Sequence, residues 1–223
     1  MQTGFGPFIA VYLTTHAWTQ VEIGLVLTVG GIIGLAGQIP AGALIDAVRS
    51  KRGIAAYAIG AVGLSALAIA AWPIFPIVLA AKVLHSAASC LITPAIAAMS
   101  LGLVGRKGLG ERLGRNARFA SAGAGFAAAL MGAIGYGLSN RAVFLVTAAS
   151  AIPALIALAQ IRPDEVDPVR ASGVSRTSPP PEPQRRLRVL LENRPLLIFA
   201  GCLLLFYLAG FAASSFKLKR IKP

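Results

Sequence analysis

Asp46 stands at the end of a long apolar run, and Arg49, Lys51 and Arg52 follow it within six residues. A carboxylate held among cations at the edge of a hydrophobic segment can act as a charged latch between neighbouring helices. It is preceded by Pro40, Gly42 and Leu44 at two-residue steps. Gly42 removes a side chain where another helix could approach. Ordinary basic residues at a helix end would account for the cations, but not for the acid or the spacing. A second group lies further along. Lys82, Ser86, Ser89 and Thr93 follow at i, i+4, i+7 and i+11, the repeat of one helix face, with His85 beside them. A lysine there can bind an anionic group, pair with a carboxylate or change protonation, and histidine titrates near neutral pH. The plainer alternative is that the Lys82 stem runs out to the membrane interface. No Ser/His/Asp set, carboxylate pair or metal-ligand cluster occurs, so the sequence gives no support for an enzyme, a metal or a cofactor. Gly105-Arg106-Lys107-Gly108-Leu109-Gly110 lacks the Gly-Lys-Ser/Thr ending of a phosphate loop. Cys90 and Cys202 both lie in apolar runs, outside any disulfide or zinc spacing.

The elements that position these residues are set by hydropathy. Of 223 residues, 56% are hydrophobic and 13% charged, and the mean hydropathy is +0.73. Soluble domains carry about 25% charge. A chain this poor in charge has little to cover a wet surface with, whereas a bilayer asks for an apolar exterior. The net charge of +13 taken alone suggests nucleic acid. The cations, however, cluster between apolar runs with no aromatic-lined basic groove, which excludes that partner. A spanning helix needs about 20 apolar residues. Runs near that length cover 21–45, 54–72, 77–104, 119–138, 142–161 and 196–216. Before them, Gly4–Leu13 is too short to span, and Pro7 is expected to kink or break it, so it reads as half of a helix. Residues 162–194 hold Pro163, Pro168, Pro179, Pro180, Pro181 and Pro183, and read as a polar, disordered linker. Gly30, Gly34 and Gly37 in the second run, and Gly123 and Gly132 in the fifth, are expected at helix–helix contacts.

Orientation follows from the basic residues, since short Lys/Arg-rich loops stay in the cytoplasm. Counted after runs two to six, the connections hold 3, 0, 5, 1 and 7 of them. That alternation puts the linker in the cytoplasm. Lys217, Lys219, Arg220 and Lys222 then fall on the opposite face. With the short first run, this leads to the expectation of a chain incomplete at both ends.

Gly42, Leu44, Asp46, Lys51 and Arg52 resemble the signature loop between helices 2 and 3 of the major facilitator superfamily. Ala47 replaces a usual basic residue and Arg49 a usual glycine. Lys82, His85 and Ser86 stand where that family's helix 4 has Arg, Gln and Gly. The fifth run has the glycines of the antiporter branch without its proline, a hint of export. The resemblance implies an all-α transmembrane bundle: six helices over 1–161, a cytoplasmic linker over 162–194, a first helix of a second bundle over 195–216, and a basic tail over 217–223. It implies secondary transport of a small molecule by alternating access, coupled to protons, in a bacterial inner membrane. Two inverted three-helix repeats are expected in such a half; here the repeat is faint, the second and fifth runs sharing glycines and a nearby arginine. Transport needs two halves, so a missing half or a homodimer is expected to complete the chain. A seven-helix receptor, an assembly subunit or a non-functional transporter remnant are the other readings.

Overall fold

The structure, a computed structural model, describes residues 2–162 and 165–171 together with Ile198, Gly201 and Cys202. The seventh run, the basic tail and most of the linker lie outside the described residues. The chain divides into two compact units, Met1–Arg176 and Thr177–Pro223. The first unit is all-α, with α1 Gln2–Thr15, α2 Gln20–Ala36, α3 Gln38–Ala47, α4 Lys51–Ala71, α5 Phe75–Gly137, α6 Asn140–Ala159 and the short α7 Pro168–Ala171.

Local chemistry sets most of the boundaries. Thr19 and Glu22 form a reciprocal cap at the start of α2: the Glu22 N–H donates to Thr19 Oγ1 at 3.3 Å, and the Thr19 N–H donates to Glu22 Oε2 at 2.9 Å. Glu22 therefore holds a helix start. Ser50 caps α4, its hydroxyl accepting from the Gly53 N–H at 3.1 Å, and Ser139 caps α6 in the same way. Two expectations are corrected here. Pro7 does not break the first run, because α1 is continuous from Gln2 to Thr15. The only backbone bond a proline removes is the one its own nitrogen would donate, and at Pro7 that is a bond to the first turn of the helix. The second run is not one straight helix. It bends by 46° between α2 and α3, because Pro40 sits in the first turn of α3 and cannot donate to Ala36, the last residue of α2.

The larger correction concerns α5. Its 63 residues would reach roughly 95 Å if straight, against a hydrocarbon core of about 30 Å. The helix breaks at Gly105, with φ 69° and ψ −179°. Only glycine occupies that region comfortably. The arms 75–104 and 106–137 then run back alongside each other near the break, where Asn116 Nδ2 donates to Ser100 Oγ at 3.2 Å across sixteen residues. The basic stretch after run four, read as a loop, is thus the first turns of the second arm. Arg, Lys, Leu and Glu are all good helix formers, and the turn needs one residue.

Helices α4, α5 and α6 are each long and apolar enough to cross a membrane, and α2 with α3 adds a fourth if the bent pair is one span. α4 lies between α5 and α6. Its small residues Ala55, Ala58, Ala61 and Ala66 are buried, and a Cβ added at Gly63 would fall 2.8 Å from Ala151 Cβ on α6. One apolar cluster joins Ile9, Tyr12 and Leu13 of α1 to Val26, Ile69, Val78 and Phe144. A second, at the other end, joins Ile45, Ala55, Ala95, Met99 and Leu158. Trp18 Nε1 donates to the Pro73 carbonyl at 3.2 Å and so ties the α1–α2 turn to the α4–α5 turn. The beginning of the linker departs from a disordered reading. α7 docks on α5 so closely that a Cβ on Gly102 would lie 2.7 Å from Val166 Cγ1 and 3.1 Å from Ala171 Cβ. The Asp167 carboxylate accepts from the Arg170 N–H at 3.2 Å and pairs with its guanidinium at 3.4 Å.

Candidate functional site

The first candidate group is built where α3 ends and α4 begins. Val48 leaves the helical region, at φ −84° and ψ 134°, and Ser50 starts α4 two residues on. Lys51 is thereby folded back under the last turn of α3, where it is 2% exposed. Its ammonium donates to the carbonyl of Ile45 and, at 3.2 Å, to that of Asp46. A cation there satisfies carbonyls that have no partner inside the helix and sits at the negative end of the dipole. Arg52 points the other way. Its Nη1 donates at 2.9 Å to the carbonyl of Ile161, just beyond α6. Two adjacent cations thus hold the ends of two helices, α3 and α6. The Asp46 carboxylate is exposed and acts on Lys51 through its charge. Arg49 and Leu44 are exposed, and an added Cβ at Gly42 would meet nothing within 4 Å. Of the six residues of this motif, the structure brings Asp46 and Lys51 together, while Arg52 bonds the end of α6.

The second group lies on the first arm of α5. His85 and Ser86 are buried, Lys82 and Ser89 half-buried, and Thr93 exposed. The Lys82 stem lies across Gly30 of α2. A Cβ added there would fall 2.4 Å from Lys82 Cε and 2.8 Å from Cγ, so the missing side chain is the groove in which the lysine rests. One turn along, Cys90 Sγ lies 3.3 Å from the Gly34 carbonyl and 3.2 Å from that of Ser86. At the α2–α3 bend a Cβ on Gly37 would approach Cys90 Sγ to 3.2 Å. Gly30 of α2 and Gly37 at the bend therefore face the first arm of α5, while a Cβ at Gly34 would meet nothing within 4 Å. Gly123 and Gly132, on the second arm, have open space where a Cβ would go. Among the described residues no group of His, Cys, Asp and Glu is arranged to hold a metal ion.

Several partners have no signature in the sequence. The Ile161 carbonyl, Gly63, Gly102 and the Asn116–Ser100 bond all depend on helices distant in the chain. The Ser50 cap beside this site, like those at Thr19 and Ser139, could have been found from local residue types.

The family model for the Major Facilitator Superfamily matches residues 1–219. The chain is 38% identical over 217 residues to an uncharacterised MFS-type transporter of Mycobacterium tuberculosis, in strain CDC 1551 / Oshkosh and equally in strain H37Rv. The match covers 95% of this chain and 51% of each relative, so the chain spans about half their length. No solved structure matches. A match over nearly the whole chain, with apolar helices long enough to span a bilayer, makes this an integral membrane protein that belongs to the major facilitator superfamily.

Proposed function

We propose that the chain is one half of a secondary transporter. That transporter carries a small molecule across a bacterial plasma membrane by alternating access, coupled to protons. The observation that carries this reading is the buried polar face of the first arm of α5. Lys82 lies against α2 with its stem in the notch of Gly30, and His85 and Ser86 are buried inside an otherwise apolar bundle. Ionisable residues at membrane depth are expensive and are kept where they face a wet cavity or a partner. In this reading Lys82 attracts the anionic part of a substrate or the carboxylate that exchanges protons with it. Ser89 and Thr93 continue the path toward the end that carries Arg106–Arg118.

Lys51 and Arg52 fit the switch role. By holding the ends of α3 and α6 they make the cytoplasmic ends of α2–α3, α4 and α6 move as one body. Asp46, exposed beside them, can engage a group that arrives when the halves rock together. The exposed second arm of α5, with Gly123 and Gly132 open and Phe119 and Phe126 outward, is the face offered to the other half or to a second copy.

Proteoliposomes test the proposal. The chain alone, under an imposed pH gradient, is expected to give no gradient-driven flux. Joined to the second half of the mycobacterial relative, it is expected to carry a substrate found by screening, with Lys82→Met reducing flux to near background. Gradient-driven flux by the chain alone would contradict the half-transporter reading. Undiminished flux in Lys82→Met would remove Lys82 from the path.

A further inference from the structure

Among the described residues, most of the cations other than Lys82 and Arg141 lie toward one end of the first unit. Arg49 follows α3, Arg52 bonds the carbonyl just beyond α6, Arg162 follows at once, and Gly102 packs on Val166 close by. The Gly105 turn lies three residues from Gly102 and is held by the Asn116–Ser100 bond, so the first turns of the second arm belong to this same end. Arg141, in the first turn of α6, is the single Lys or Arg where the second arm passes into α6.

Within Arg106–Arg118 there are five cations and one acid, Glu111. The helix repeat places Lys107, Arg115 and Arg118 with Glu111 on one face, at steps of i, i+4, i+8 and i+11. All four are exposed. The opposite face carries Leu109, Arg112 and Asn116, all half-buried, and the exposed Leu113. This amphipathic start is charged the wrong way for its own dipole. The first turn of a helix is its positive end and favours anions, yet the second arm opens with two cations, Arg106 and Lys107.

We propose that the exposed face Lys107–Arg115–Arg118 is a docking surface for the headgroup phosphates of anionic phospholipids, which stabilise the start of the second arm of α5. The match is one of charge and level. The face lies where two apolar arms emerge from the bilayer, next to a leaflet surface that attracts juxtamembrane cations by about 1 kcal/mol per residue. Phosphate at the helix start also relieves the dipole. The surface needs a bilayer but no transport activity.

The test uses the full chain in nanodiscs of phosphatidylcholine alone or mixed with phosphatidylglycerol, read by amide hydrogen exchange over 106–118. Exchange is expected to slow on the order of tenfold in the mixed discs, as for a ligand about tenfold above its dissociation constant. The variant K107Q/R115Q/R118Q loses the slowing. K107R/R115K/R118K keeps it, and so does R185Q/R186Q/R188Q, which removes three cations of the linker sequence. Equal exchange of the unaltered chain in the two lipids overturns the proposal, whatever the variants do. Slowing that survives K107Q/R115Q/R118Q, or is lost equally in the linker variant, overturns the assignment to this face. Slowing produced by inorganic phosphate in phosphatidylcholine discs overturns the assignment to lipid.

Discussion

Replacing Gly105 by alanine is expected to destabilise the bundle by about 1–3 kcal/mol, the usual cost of a sparsely populated backbone region. At φ 69° and ψ −179° an L side chain collides with its own backbone, so the helix gains by running on. Running on carries the second arm away from the first and breaks the Asn116–Ser100 bond. The contrast is with Gly110→Ala, five residues along in the same helix. An added Cβ there meets nothing within 4 Å, and alanine in an exposed helix raises stability by about 0.4–1 kcal/mol. The two changes are chemically identical and opposite in sign. Thermal or denaturant unfolding in detergent measures both. If Gly105→Ala is as stable as the unaltered chain, α5 does not turn at Gly105.

The second large effect is at Lys51. Lys51→Met keeps most of the stem but removes the donor to the Ile45 and Asp46 carbonyls. Hydrogen bonds to charged groups contribute about 1.5–3 kcal/mol, and buried acceptors left without a donor cost about as much. The expected loss is about 2–3 kcal/mol, with fraying concentrated in the last turn of α3. Arg49→Met, two residues earlier and exposed, is expected to leave stability nearly unchanged. A role confined to counting positive charges would make the two substitutions equivalent. Unfolding of the pair of variants under one condition separates the readings.

These two residues also mark what could be read from the sequence. The helical class was legible because length and hydropathy of each run are local quantities. The Gly42–Arg52 motif was legible by spacing, and the structure adds why its cations are adjacent: one serves the end of α3 and the other the end of α6. That runs four and five are separate was legible, but the residue at which the arms of α5 turn was not. Gly102, Gly105, Gly108, Gly110 and Gly114 are alike in sequence, and only tertiary packing selects which one takes a positive φ. The charge of 106–118 reads as loop, although those residue types favour helix. The glycines divide for the same reason. Gly30 and Gly37 face α5 and are closely approached, while Gly123 and Gly132 lie open. Helical spacing identifies small residues without saying which neighbour lies over them.

The central claim is that the polar face of the first arm of α5 lines a wet path. Thiol accessibility in proteoliposomes tests it, in a background with Cys90 and Cys202 replaced by alanine. Single cysteines are placed at Lys82 and Ser89 on the stripe and at Leu64 and Ile152, which are exposed apolar positions. A small membrane-impermeant thiol reagent is expected to label the first two and spare the others. Labelling of Leu64→Cys and Ile152→Cys with silence at Lys82→Cys and Ser89→Cys would contradict the account, because the polar stripe would then be sealed from water.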